Sequence, residues 1–154
     1  MSTRDKLLRT AIRFLKEVYG CQDFQATFDR PTSKWTYPPP APLGPEDIVP
    51  DLVCFQKEGQ NFLYLDIAST EDYILSSTTE KFWKRIFDFV STKENHYFAI
   101  LTYRLFGKEW GEDMLRKRLY QIFGEKGKDI CILTFHRGGI GGELPFEQME
   151  ERKA

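Results

Sequence analysis

The sequence predicts an α/β domain in which helices flank a mixed central β-sheet on both faces. Two apolar segments joined by a short polar turn predict an antiparallel hairpin in the first half of the chain. In the second half, apolar strand-like segments alternate with helical patterns, which is typical of parallel strands joined by crossovers. Because 154 residues are enough to bury one hydrophobic core, we expect a single domain over residues 1–154.

The first predicted element is an amphipathic helix over Thr3–Tyr19, and Gly20 is a suitable stop signal. Its apolar residues recur at intervals of three and four, as one face of a helix requires. They are Leu7, Leu8, Ala11, Ile12, Phe14, Leu15, Val18 and Tyr19. A weaker alternation over Asp23–Phe28 follows and predicts an edge strand.

Residues 30–50 are expected to form an extended loop, because they hold seven of the eight prolines. Proline cannot donate to a helix or to a sheet ladder. The loop also carries Trp35 and Tyr37. We expect these two rings to anchor the loop to the core, although they could also stack on a nucleic-acid base.

The remaining predicted elements follow in the order strand, strand, helix, strand, helix, strand. Their predicted ranges are 48–56, 61–69, 76–90, 97–103, 109–123 and 129–135. Gly124 ends the last helix. The glycine-rich segment that begins near residue 137 predicts a loose, flexible tail.

Composition and charge argue against several classes of function. Apolar residues make up 41% of the chain, which is typical of a globular protein. A formal charge of −1 and a pI near 6.2 weigh against a role that depends on non-specific nucleic-acid binding. The sequence has no apolar segment of the ~20 residues that span a bilayer. It also has no signal-peptide pattern, so we expect a cytoplasmic protein without a membrane partner.

The cysteines and histidines form no metal-ligand pattern. Cys21, Cys54 and Cys131 contain no CxxC pair, and we expect them to be reduced residues of the core. His96 and His136 each lack a second ligand at a suitable spacing, so a zinc site is not predicted.

Two acidic residues on the predicted hairpin carry the main functional hypothesis. Asp51 and Asp66 lie in otherwise apolar strands, where a carboxylate is costly to bury unless it is paired or binds a cation. Period-two geometry predicts that Asp66 shares a face with Tyr64 and that the two acids meet across the hairpin. Two carboxylates and the Ile67 carbonyl would make a hard oxygen site for Mg²⁺ or Mn²⁺.

This layout resembles the PD-(D/E)xK nuclease superfamily, the fold of restriction endonucleases and archaeal Holliday-junction resolvases. Pro50-Asp51 matches the first half-motif and Asp66-Ile67-Ala68 the second. The helix–meander–helix–strand order over roughly residues 3–103 agrees with the family core. The resemblance implies a restriction-endonuclease-like fold, magnesium held by the two acids, and hydrolysis of DNA phosphodiesters.

The chain departs from the family at the motif lysine, whose position is occupied by Ala68. In the family this lysine positions the attacking water and stabilises charge in the transition state. Lys81 or Lys84, on the polar face of the following helix, could replace it. The alternative is that both are solvated surface residues, as polar helix faces usually are.

Further charged groups have weaker claims to a functional role. Glu17 is the candidate for the additional acid that the family often has on its first helix, but its helical phase favours solvent. Glu46 and Asp47 are alternative helpers, and acids in loops are usually solvated. The sequence offers two basic groups for phosphate contact. They are Arg116-Lys117-Arg118 and the cluster Lys81, Lys84 and Arg85.

Two functions from different classes remain open, as does a purely structural role for the acids. The first is a metal-dependent DNA nuclease with Asp51 and Asp66 as catalytic acids, active only if Lys81 or Lys84 supplies the missing lysine. Dimerisation would suit such an enzyme if it cut both strands. The second is a catalytically inactive relative that acts as a protein- or nucleic-acid-binding assembly module. Its proline-rich loop over residues 30–50 would be a natural docking surface.

Overall fold

The computed structural model describes residues 2–44, 48–103, 110–136 and 139–142. It confirms an α/β fold in which helices flank a mixed six-stranded sheet. The elements are α1 (Thr3–Tyr19), β1 (Cys21–Ala26), β2 (Leu52–Gln56), β3 (Asn61–Ile67), α2 (Glu71–Leu75), α3 (Ser77–Ser91), β4 (His96–Tyr103), α4 (Trp110–Phe123), a 3₁₀ turn (Gly124–Asp129), β5 (Cys131–His136) and β6 (Gly139–Gly142).

The strands lie in the sheet in their chain order, from β1 at one edge to β6 at the other. The first three strands are antiparallel to one another, which confirms the predicted hairpin. Strands β3, β4 and β5 are parallel, and helical crossovers join them. Strand β6 then returns antiparallel to β5.

One face of the sheet is covered by α1. The Ser2 side chain caps this helix by accepting a hydrogen bond from the Asp5 N–H at 3.1 Å. At the other end Gly20 adopts the left-handed conformation with a φ of 66°, as the sequence predicts for a stop. Leu8 and Leu15 are fully buried in a cluster that includes Leu63, on the inner face of β3.

The proline-rich loop packs over the same face through its aromatic residues. Trp35 and Tyr37 lie beside Phe28, with ring centroids 6.0 and 6.3 Å away, and the Ala26 N–H donates to the Pro38 carbonyl at 3.0 Å. The predicted anchoring role is therefore confirmed. Because Trp35 is only 7% exposed, its ring is not available to stack on a base.

The opposite face is covered by α2, α3 and α4. Trp83 and Ile86 of α3 and Leu115 of α4 are fully buried against the apolar residues of the sheet. Tyr64 and Ile100 belong to the same cluster, so alternate residues of β3 point to opposite faces as period-two geometry predicts.

Two elements differ from the expectation. The sequence analysis did not predict α2, whose first turn is capped by the Thr70 side chain. The prediction of a flexible tail from about residue 137 is wrong for Gly139–Gly142, because these residues pair with β5 and form β6. The strand predicted at 129–135 is therefore not the last one. The rest of that tail, with residues 45–47 and 104–109, lies outside the described residues.

The cysteines agree with a further expectation. Cys21, Cys54 and Cys131 are free thiols, and the first two are buried. A hydrogen bond with Cys21, together with burial, raises the pKa of the Cys54 thiol well above its usual range, so this thiol is a poor nucleophile.

Among the helices that the structure describes, none is long and apolar enough to cross a membrane.

Candidate functional site

Strand pairing places Asp51 and Asp66 opposite each other at one end of the hairpin. Leu52 of β2 pairs with Leu65 of β3, and one further step along this antiparallel register sets Asp51 across from Asp66. Asp66 is 2% exposed and lies beneath α3, whereas the Asp51 side chain is 20% exposed at the strand entry. The predicted convergence of the two acids is therefore present.

The Asp66 carboxyl accepts two hydrogen bonds from the helices that cover it. The Trp83 indole N–H and the Tyr73 hydroxyl both donate to its Oδ2, each at 2.7 Å. Burial, followed by the charge of Asp51 and a hydrogen bond with it, raises the pKa of Asp66 well above its usual range. The bonds from Trp83 and Tyr73 act in the opposite direction and do not cancel this rise.

Tyr73 is a donor in this arrangement and not a base. Burial and the nearby Asp66 charge raise the pKa of its phenol above the ordinary value. The hydroxyl therefore keeps its proton across the physiological pH range. Helix α2 carries this side chain to the site, and its Ile74 is buried.

The Asp51 carboxylate is neutralised by Arg4 from the first turn of α1. Arg4 Nη2 and Nε donate to Asp51 Oδ1 at 2.9 and 3.1 Å, and the Ile67 N–H donates to Oδ2 at 2.7 Å. The same guanidinium also donates to the Thr27 carbonyl at 2.6 Å. Arg4 thus occupies the position beside the acid pair where the sequence analysis expected a metal cation.

A third buried acid supports this end of the molecule. Asp5 has no exposed surface, and its two carboxylate oxygens accept hydrogen bonds from the Asp29 and Arg30 N–H groups at 2.8 and 3.0 Å. It therefore fixes the loop after β1 against the first turn of α1. Since Arg4 and Asp5 are neighbours, this contact also positions the guanidinium over Asp51.

Sequence reasoning missed four residues of the site, namely Arg4, Asp5, Tyr73 and Trp83. Two of them carried a readable signal. Trp83 lies in a predicted amphipathic helix, and a buried indole N–H usually finds a hydrogen-bond acceptor. Asp5 follows Ser2 at the spacing of a helix capping box. Nothing in the sequence near Arg4 or Tyr73 specified their partners, which are 47 and 7 residues away.

The structure does not bring the candidate lysines to the acids. Lys81 and Lys84 are exposed on α3, and the Lys84 ammonium lies 3.7 Å from the Glu80 carboxylate. Within the described ranges, no hydrogen bond or ion pair joins either lysine to Asp51 or Asp66. Glu17 is exposed, as its helical phase predicted. Glu46 and Asp47 lie outside the described residues.

The residues present do not fit a magnesium site in this arrangement. Both oxygens of Asp51 and the Oδ2 of Asp66 already accept hydrogen bonds from the chain. Ile67 contributes an N–H donor to Asp51, where the expectation used its carbonyl. Mg²⁺ usually keeps several waters, for which an acid that is 2% exposed leaves no space. In the part of the chain that the structure describes, no group of three or more His, Cys, Asp or Glu could hold a metal.

Replacing Asp66 by asparagine tests whether the fold favours an uncharged group at this position. A raised folded pKa means that the folded protein binds more protons than the unfolded chain above pH ~4, so this carboxyl lowers stability as pH rises. Asparagine keeps the acceptor for Trp83 and Tyr73 and stays neutral. We therefore expect the stability of Asp66→Asn relative to the wild type to increase as pH rises from 4 to 8.

Urea unfolding of both proteins between pH 4 and 8 measures this effect, and Asp88→Asn, an exposed acid on α3, is the control. The control should follow the wild type across the range. If the wild type instead gains stability relative to Asp66→Asn as pH rises, the fold favours the carboxylate and the interpretation is wrong.

A double-mutant cycle tests the Arg4–Asp51 pair. With side chains 29% and 20% exposed, the pair is intermediate between surface pairs and buried ones. We therefore expect a coupling energy of about 1–2 kcal/mol between Arg4→Gln and Asp51→Asn, above the ~0–1 kcal/mol of exposed pairs. Urea unfolding of the four proteins gives this value. A coupling energy near zero would mean that Arg4 does not neutralise the acid pair.

Comparisons of the chain with protein-family models, curated proteins and solved structures found no match. The resemblance to PD-(D/E)xK nucleases therefore depends on the positions of Asp51 and Asp66 and on the order of the elements. Because a fold does not determine a function, the function has to be argued from the chemistry of the site.

Proposed function

We propose that the chain is a catalytically inactive relative of the PD-(D/E)xK nucleases and acts as a binding module. The observation that supports this most strongly is that the chain itself satisfies the acid pair. Arg4 and the Ile67 N–H bind Asp51, while Trp83 and Tyr73 bind Asp66. Acids held in this way connect the helices to the sheet and offer few free oxygens to a substrate or a metal.

The order and pairing of the elements support the nuclease-like part of the proposal. An initial helix, an antiparallel meander and a crossover through α3 to a parallel β4 are the features that the family core would require. Asp51 at the entry of β2 and Asp66 near the end of β3 lie where the two half-motifs would place them. The restriction-endonuclease-like core is therefore part of this proposal.

The surroundings of Ala68 support the inactive part of the proposal. Ala68 has no exposed surface and belongs to the same buried cluster as Ile74 and Trp83. A lysine at this position would bring an ammonium into an apolar cluster, where an unpaired charge is costly. The helix lysines Lys81 and Lys84 are exposed to solvent and do not compensate.

Metal-dependent hydrolysis of DNA is the second candidate function. The observation that favours it is the closeness of the two carboxyl groups, through which Asp51 raises the pKa of Asp66. For this function Arg4 would have to leave Asp51, and a lysine such as Lys81 or Lys84 would have to approach Asp66. The contacts described above favour neither movement.

Titration of Mn²⁺ into the wild type and into Asp66→Asn, followed calorimetrically, separates the two functions. For a binding module we expect no heat of binding in the millimolar range and no cleavage of plasmid or oligonucleotide DNA with Mg²⁺ or Mn²⁺. The reason is that Arg4 competes with the cation for Asp51. Cleavage in the presence of DNA covers the case in which a metal binds only together with phosphate.

The nuclease function makes the opposite prediction for the same proteins. Under this function, metal binding should disappear in Asp66→Asn, and cleavage should fall sharply in Lys81→Ala or Lys84→Ala. These results would establish the nuclease function and refute the proposal of an inactive binding module. Asp88→Asn serves as the matched control, because it removes an exposed acid of α3 without touching the site.

A further inference from the structure

A second cluster of charge lies on the α1 side of the sheet, around the indole ring of Trp35. The guanidinium carbons of Arg9 and Arg13 are 5.3 and 5.2 Å from the ring centroid, and the Lys34 ammonium is 5.9 Å away. Trp35 belongs to the buried cluster on this face, whereas Trp83, the donor to Asp66, lies in the cluster on the opposite face. The two tryptophans therefore lie on opposite faces of the sheet.

These three cations lack counter-charges. Across residues 2–44, 48–103, 110–136 and 139–142, none of them lies within 4 Å of a carboxylate oxygen. Among the residues that the structure describes, the buried Nε of Arg9 finds no hydrogen-bond partner. Three like charges around one ring repel one another, and the ring's negative face offsets this only in part. An anionic ligand at this surface would offset the three charges.

The cluster continues along α1 as a basic stripe. Lys6, Arg9, Arg13 and Lys16 follow one another at intervals of three and four residues, so they share one side of the helix over about 15 Å. Lys6, Arg13 and Lys16 are exposed. Lys6, Arg9, Arg13 and Lys16, together with Lys34, form what we call the Trp35 surface.

The charge of the chain is distributed unevenly in favour of this surface. Residues 1–40 contain seven Lys or Arg and four Asp or Glu, which gives +3, and the rest of the chain carries −4. Of the four acids, Asp5 and Asp29 already interact with Arg4 or with backbone N–H groups. Glu17 is the exposed acid beside the stripe. Although the net charge of the whole chain is close to zero, its first 40 residues are therefore net basic.

We propose that the Trp35 surface binds the phosphate backbone of a nucleic acid. This inference deepens the proposed binding role by naming its partner. Guanidinium groups donate in a fork that fits phosphate oxygens, and cations one helical turn apart suit a polymer with regularly spaced charges. Because Trp35 is buried, the surface contacts phosphate and does not stack on bases, so binding is independent of sequence.

Other anionic partners fit these observations less well. A lipid surface would be expected to take up an exposed apolar anchor, and Val18, the exposed apolar residue of α1, lies on another side of the helix. An acidic peptide would match the charge, and its carboxylates could also accept bidentate bonds from arginine, so the competition experiment below has to distinguish it from a nucleic acid. The sequence alone did not indicate this surface, because only the fold brings Lys34 and Trp35 of the proline-rich loop to α1.

The test is fluorescence anisotropy of a mixed-sequence oligonucleotide, single-stranded and duplex, with EDTA and low salt. We expect wild-type binding that weakens at least about tenfold in Arg13→Gln/Lys34→Gln, with the slope of log K against log salt reduced by about 1–2. The matched control, Lys57→Gln/Lys126→Gln, also removes two positive charges, from exposed positions outside the Trp35 surface and outside the two other basic groups, and should change affinity less than about twofold. Glu17→Gln should strengthen binding.

Three results would overturn the inference. They are no binding by the wild type at low salt, an equal loss in the control, and competition by polyglutamate as effective as that by unlabelled oligonucleotide, which would indicate an acidic protein partner. Circular dichroism of the variants excludes unfolding as the cause. Because EDTA removes metal, this outcome is independent of the cleavage assay. If the protein neither cleaves nor binds nucleic acid, only the inference about the Trp35 surface is refuted. If it cleaves DNA and its binding requires the Trp35 surface, only the proposed non-catalytic role is refuted.

Discussion

The buried carboxyl of Asp66 is the constraint on which the arrangement of the helices depends. An acid in the middle of a sheet has to receive hydrogen bonds, and here they come from two different helices through Tyr73 and Trp83. Asp51 lies opposite and needs a cation, which α1 supplies as Arg4. Two acids on one hairpin therefore specify how α1, α2 and α3 dock. Apolar packing alone would tolerate several positions for these helices, because it is less directional than hydrogen bonding.

Much of the fold could be predicted because periodicity is a local property of the sequence. The apolar stripe of α1 and the alternation in β3 were sufficient to place both elements and to assign the faces of β3. Strand β6 could not be found in this way, because Gly139–Gly142 has little strand propensity and is held by backbone bonds to β5. Helix α2 is too short for a periodic signal, and its Thr70 cap was the only local sign of it.

The candidate site was predicted in part for the same reason. The convergence of Asp51 and Asp66 follows from hairpin register, which the turn and the strand pattern specify. Their partners depend on tertiary contacts, and a pair of acids in isolation is compatible with either a metal ion or a guanidinium. The choice between these two depends on Arg4, which Asp5 positions by holding the loop after β1. One-dimensional reasoning has no access to that contact.

The residues at positions 68 and 83 depend on each other. Both residues are fully buried in the same cluster, and the Trp83 indole donates a hydrogen bond to Asp66. A lysine at position 68 would bring an ammonium into this cluster, and a smaller residue at position 83 would remove one of the two hydrogen-bond donors to Asp66. Replacing Ala68 alone by lysine would therefore disrupt the packing around Asp66. Positions 68 and 83 contribute together to the buried surroundings of this acid.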